Sequence, residues 1–202
     1  MKEILPSVEI VSYTPELEKV AEICARTCYK SEDRLSKNTK YFLESLIKNE
    51  HLSVLEHNTI TIDVVCDRGI SHELVRHRLA SFSQESTRYC NYVGSDIKFI
   101  RPCSIETNSP SHLLWLSAMA GAEKEYKVLI GLGNKAEIAR SVLPTSLATS
   151  LKMSANAREW RHIFKLRTSK AAHPDMRNIM NQALSLFKDK WPIIFGDLTN
   201  EM

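Results

Sequence analysis

Residues 76 to 89 read Arg76-His77-Arg78-Leu79-Ala80-Ser81-Phe82-Ser83-Gln84-Glu85-Ser86-Thr87-Arg88-Tyr89. Three arginines, a histidine, three serines, a glutamine and a glutamate fall within fourteen residues. Only Leu79, Ala80, Phe82 and Tyr89 have a claim on a core, so the rest of the chain must supply one around this stretch. Its donors suit an anion: arginine offers a planar fork matched to phosphate or carboxylate, and hydroxyls add short donors beside it. On a helix, adjacent side chains diverge by roughly 100°, so Arg76-His77-Arg78 cannot all serve one contact. The bland alternative is a basic helix end complementing the helix dipole.

The apolar periodicity around the stretch predicts an α+β fold, a central and mostly antiparallel sheet packed by helices, in one domain over residues 1–202. Strands are expected at 7–13, 58–66, 97–101 and 147–153. The second of these alternates, with Ile60, Ile62, Val64 and Cys66 on one face. Thr14-Pro15 reads as the cap and first position of a helix reaching Tyr29, with Leu17, Val20, Ala21, Cys24 and Cys28 inward. Helices follow at 39–49, from Ile70 through Arg76-His77-Arg78, and at 111–131, 135–143, 156–167 and 174–190. Asn156 and Glu159 form a possible capping box. Asp67-Arg68-Gly69 reads as a turn, 30–38 as a loop, 82–91 as extended chain, and Trp191-Pro192 as the stop of the last helix.

If extended, Phe82, Gln84, Ser86 and Arg88 would share one side and present an amide, a hydroxyl and a guanidinium in a row. A second basic group, Asn156, Arg158, His162 and Arg167, sits on or beside one helix, and Arg158 and His162 share a face. Arg161 and Lys165 read as a solvated face. The net charge of +3 suits a small anion and is too dispersed to predict nucleic-acid binding. Five cysteines without a CxxC pair indicate neither a disulfide framework nor zinc, and His51, Glu56 and His57 lack the spacing of a helical zinc pair, so no metal is expected. No run approaches a signal peptide or a membrane span, which reads as a cytoplasmic protein. From the residues alone, a nucleotide-clamping module that stacks bases on Tyr89, Tyr92 and Phe99 remains open beside an enzyme.

The spacing Arg76-His77-Arg78, seven residues, then Ser86 resembles the defining motif of the flavin-dependent thymidylate synthases. The stretch His51 to His57, the run Ala139 to Pro144, and Asn156-Ala157-Arg158 followed by Leu166-Arg167 are similar to further segments of that family, in the family's order. The resemblance implies a homotetramer with shared active sites and FAD as cofactor. NADPH and methylenetetrahydrofolate would be co-substrates and dUMP the nucleotide converted to dTMP, without a cysteine nucleophile. It implies flavin contacts from Ser53, Arg76, His77, Arg78, Gln84, Asn156, Arg158 and His162, with His51 near the flavin ring. It implies nucleotide contacts from Glu73, Arg76, Gln84, Glu85, Ser86, Thr87, Arg88, Arg140 and Arg167, with Arg167 the catalytic cation polarising the uracil. Glu73, Gln84 and His162 depart from residues common in the family at those positions. A flavoprotein of another class, reduced by NADPH without regard to dUMP, is the remaining alternative.

Overall fold

The computed structural model describes residues 1–199. The strands are β1 (Lys2–Ile4), β2 (Ser7–Tyr13), β3 (Thr59–Asp67), β4 (Ser81–Gln84), β5 (Lys98–Ile100) and β6 (Ala148–Asn156). The helices are α1 (Leu17–Cys28), α2 (Thr39–Lys48), α3 (Arg68–Leu74), α4 (Pro110–Gly131), α5 (Ala136–Ala139), α6 (Ala157–Arg167), α7 (Pro174–Lys190) and α8 (Pro192–Phe195). Single 3-10 turns lie at Glu32–Arg34, Leu52–Leu55 and Arg140–Val142. The fold is α+β, with a four-stranded, mostly antiparallel sheet in the order β2-β3-β6-β4. β1 and β5 pair in parallel, Glu3 opposite Phe99.

The chain groups into two compact units: residues 1–7, 64–76 and 83–151 form one, residues 8–63, 77–82 and 152–199 the other. In the first, Phe99, Trp115, Met119, Tyr126 and Leu147 make the core. Its long helix α4 begins where Ser109 accepts the His112 N–H and Pro110 takes the first turn. In the second unit Trp160, Phe164, Phe187, Trp191 and Phe195 form an aromatic cluster with ring centroids 5.0–6.2 Å apart. Trp160 is fully buried and its indole N–H donates to Ile60 O at 3.0 Å, so its one polar atom costs nothing. Truncating such a residue typically costs about 3–5 kcal/mol.

The expected strand at the chain's centre stands: Ile60, Ile62, Val64 and Cys66 are all buried on β3. Several expectations are overturned by local hydrogen bonding. Thr14 does not cap α1; its hydroxyl accepts the Thr59 N–H, and Glu16 precedes the helix in the left-handed region at φ 48°. The inward face of α1 carries Glu22 and Arg26, while Cys28 is exposed. Asp67 is a helix cap and not part of a turn, its carboxylate accepting the Ile70 N–H at 2.9 Å. A Cβ at Gly69 would lie 2.9 Å from that same oxygen, which accounts for glycine there. Capped this early, α3 ends at Leu74, and Arg76-His77-Arg78 follows it as turn rather than helix. The extended segment likewise stops at Gln84: Ser86 O accepts the N–H groups of Tyr89 and Cys90, a turn that ends the alternation before Ser86 and Arg88. Past Pro192 the chain makes the further short helix α8 instead of simply stopping.

Candidate active site

The second unit brings the histidine of the Arg-His-Arg stretch onto α6. Asn156 caps that helix by accepting the Glu159 N–H at 2.8 Å, as its sequence predicts. Arg167, at the far end, donates its Nε–H to His77 Nε2 at 2.9 Å, across ninety residues of sequence. That nitrogen must be unprotonated to accept, which leaves the ring proton on Nδ1, 3.7 Å from Glu159 Oε1. His77 and Glu159 are both only 7% exposed. The His77 imidazole is pushed down to about 4, by burial first and then by the charges of Arg167 and His162. Its neutral form is thus built into the site. The His162 ring meets His77 edge-on, with centroids 6.4 Å apart.

Beside this cluster lies a cleft of about 630 Å³, lined by Leu52, Leu79, Asn156, Arg158, His162 and Lys165 among others. Three residues expected around the flavin, Asn156, Arg158 and His162, therefore share one wall. Leu79, 77% exposed, offers an apolar surface next to Arg78. Cationic and hydrogen-bonding side chains together with an exposed leucine are the donor set that a dinucleotide with an apolar ring edge requires, so these residues fit FAD. Arg158 is ion-paired to Glu56, so a ligand there meets a cation already partly neutralised. Arg161 overturns the expectation of a solvated face: it is 3% exposed and both its Nη atoms bond the Asp197 carboxylate at 2.6 Å. Ser53 is exposed in the turn at Leu52–Leu55. His51 does not line this cleft but a separate groove with Arg26 and Phe42.

The first unit assembles most of the residues expected around the nucleotide. Both amide hydrogens of Gln84 are used, donated to Ser71 Oγ at 2.8 Å and Thr149 Oγ1 at 3.2 Å. Toward a ligand Gln84 therefore presents its carbonyl oxygen, an acceptor, in place of the row of donors expected from an extended strand. Arg68 Nη1 donates to Glu85 O and Thr149 Oγ1 at 3.3 and 3.4 Å. The Glu85 carboxylate accepts the Tyr92 hydroxyl at 2.6 Å, and burial with that bond drives the Tyr92 phenol upward. Arg140 Nη1 donates to Thr87 Oγ1 at 3.1 Å, and Arg88 lies 3.8 Å from Glu137. Arg76, Arg88 and Arg140 are exposed; Glu73 and Ser86 are half-buried. Arg68, Ser71 and Thr149 were missed because each lies outside the basic stretches that the sequence marks, and Glu159 because its sequence context marks it only as part of a helix cap. Cys66 is buried, and its thiol is pushed up to about 12, chiefly by that burial. Among the described residues no three of His, Cys, Asp and Glu cluster as metal ligands, and no helix is long and apolar enough to cross a membrane.

A family model described as thymidylate synthase complementing protein matches residues 9–193. The chain is 34% identical to a flavin-dependent thymidylate synthase of Geobacter sulfurreducens over 198 residues, covering 94% of this chain and 85% of that one. It is 32% identical to the Pyrococcus furiosus protein of the same name over 200 residues, covering 93% and 82%. A crystal structure of a UMP/dUMP methylase, PolB from Streptomyces cacaoi, bound with 5-Br dUMP, superposes with a TM-score of 0.83 at 26% identity, covering 97% of this chain and 96% of that one.

Proposed function

Because this chain belongs to the flavin-dependent thymidylate synthase family, we propose that it methylates C5 of dUMP to give dTMP. Methylenetetrahydrofolate donates the one-carbon unit and leaves as tetrahydrofolate, and NADPH is the source of the two electrons that bring that unit to a methyl group. FAD, when bound, supplies the hydride to the transferred carbon. Ser53, Arg76, His77, Arg78, Gln84, Asn156, Arg158 and His162 would hold it.

The observation that carries this reading is the bond from Arg167 Nε to the buried, neutral His77. Uracil C5 is a weak nucleophile, and it becomes a better one as negative charge builds on the ring's N3–O4 edge and is fed into C5. A cation fixed beside that edge stabilises the charge as it forms, at no cost in reorganisation. His77 fixes the guanidinium plane because its Nε2 can only accept. A protonated His77 would lose that role and repel Arg167. Ser86, Thr87, Arg88 and Arg140, with Glu73 and Glu85 nearby in sequence, would bind the nucleotide, the arginines its phosphate. No thiol is required in this chemistry. We read the assembly as a homotetramer with active sites shared between subunits, working in the cytoplasm.

The likeness to a UMP/dUMP methylase favours a second reading, in which UMP is also a substrate. One experiment separates these. Purified protein is reduced by NADPH without oxygen, with dUMP or UMP present, and then given methylenetetrahydrofolate. A flavin band that bleaches, followed by dTMP from dUMP alone, supports the first reading; methylated UMP at a comparable rate supports the second. Colourless protein that also fails to take up added FAD would sink both.

A further inference from the structure

The two ends of a carboxamide have nearly the same shape, so its hydrogen-bond partners decide which way round it sits. At Gln84 the partners leave one answer. Ser71 is fully buried, and its hydroxyl donates to Arg68 O at 2.9 Å. A carbonyl oxygen can only accept, so the single proton of Ser71 is committed there and its Oγ has only lone pairs left. The Gln84 atom 2.8 Å from that Oγ must therefore be the amide nitrogen. Turned over, Gln84 would set its oxygen against a lone pair in a buried place, where an unmade hydrogen bond costs most.

Thr149 alone would not decide the matter. It is 1% exposed, and its Oγ1 accepts Gln84 Nε2 at 3.2 Å and Arg68 Nη1 at 3.4 Å. Its own proton could equally go to an amide oxygen. Arg68 works from both ends: its carbonyl sets the Ser71 hydroxyl, and its guanidinium holds Thr149 and, at 3.3 Å, Glu85 O. Gln84 itself is half-buried, and among the described residues its Oε1 accepts no hydrogen bond. The side chain is thus ordered before any ligand arrives, with a free end that accepts and cannot donate.

We propose that Ser71 is a positioning residue: by fixing the Gln84 amide it makes that side chain read a hydrogen-bond donor on the nucleotide, the sugar hydroxyl or the N3–H of the base. The inference rests on the function given above, which supplies the nucleotide. It makes a hydroxyl with no access to ligand part of the site's specificity.

The chain has two glutamines, Gln84 and Gln182. Protein labelled with nitrogen-15 at its glutamine side chains therefore gives two amide signals, and Gln84→Glu identifies them. Gln182 donates to Asn178 Oδ1 at 3.3 Å in a bond open to solvent. The Gln84 amide hydrogens should exchange with water about tenfold more slowly than those of Gln182, and Ser71→Ala should remove most of that difference. Equal exchange at both glutamines in the wild type overturns the proposal.

In parallel, dUMP is titrated calorimetrically into the wild type, Ser71→Ala, Gln84→Glu and the double variant, with the thermal unfolding of each followed alongside. Ser71→Ala weakens dUMP about fivefold, the cost of ordering on binding a side chain that was ordered beforehand. A carboxylate accepts at both ends, so in the Gln84→Glu background the same substitution changes affinity by less than about twofold. Equal losses in both backgrounds would make Ser71 a packing residue and overturn the proposal, as would unchanged affinity in Ser71→Ala. Two analogues name the donor: 2′,3′-dideoxyuridine monophosphate lacks the sugar hydroxyl and N3-methyl dUMP lacks the ring N–H. The analogue whose affinity no longer responds to Ser71→Ala lacks the group that Gln84 reads; a full response with both overturns the donor reading. Slow exchange at Gln84 in protein that bound no dUMP would count against the proposed function and not against the hold of Ser71 on Gln84, so the two fail separately.

Discussion

The two units hold their cations in opposite ways. In one, Arg167 is bonded to a histidine that is 7% exposed and held neutral. In the other, Arg88 and Arg140 stand exposed, one near Glu137 and one on the Thr87 hydroxyl. A guanidinium oriented by a buried partner is preorganised for charge that appears during a reaction. Exposed ones are screened by water and salt and serve to capture an anion that is already charged. The difference teaches that these arginines divide by what holds them: one is fixed by a buried partner, the others stand at the surface.

The strongest way to break that division is Arg167→Ala. Turnover should fall roughly a hundred- to a thousandfold, with flavin retained, since removing one preorganised donor costs about 2.7–4 kcal/mol of transition-state stabilisation. Near wild-type turnover, measured as dTMP formed under saturating substrates, would remove Arg167 from the chemistry. Next in size is an acid effect on stability. His77 holds its proton more weakly folded, at about 4, than its ordinary 6.5. Between those values the unfolded chain binds more protons, so stability rises with pH, by up to roughly 3 kcal/mol across the window. Above about pH 6.5 neither state binds the proton, and stability no longer changes with pH through this group. In His77→Gln, urea unfolding at pH 4.5 and 7 should show a flatter pH dependence by that amount; an unaltered slope would mean that His77 is not held neutral.

Among the exposed arginines, Arg88→Ala or Arg140→Ala should weaken dUMP binding about tenfold each, an effect that shrinks with added salt. Calorimetry showing unchanged affinity for both variants would place the phosphate elsewhere. Smallest of all, Cys90→Ala and Cys103→Ala should leave turnover within about twofold. Loss of activity in either folded variant would bring a thiol back into the mechanism.

The elements that were legible in the sequence are those whose side chains repeat. β3 alternates, and α6 opens on an asparagine cap and presents a face. What failed were places where one polar side chain outranked the local pattern. Asp67 started α3 at Arg68, earlier than the apolar pattern; Thr14 bonded β3 instead of capping α1; Asp197 paired with Arg161. The candidate residues themselves were legible because they fall in dense polar stretches. Their partners were not: Glu159, Ser71 and Thr149 are ordinary residues until folding sets them beside His77 and Gln84.

By itself, then, the sequence determined the family and the α+β class, because residue types and spacing are carried along one chain. Only the tertiary structure decided which nitrogen of His77 holds the proton, which arginines are buried, and that the Gln84 amide is spent on Ser71 and Thr149. Those are properties of environment, set by hydrogen bonds and burial between residues far apart in the chain.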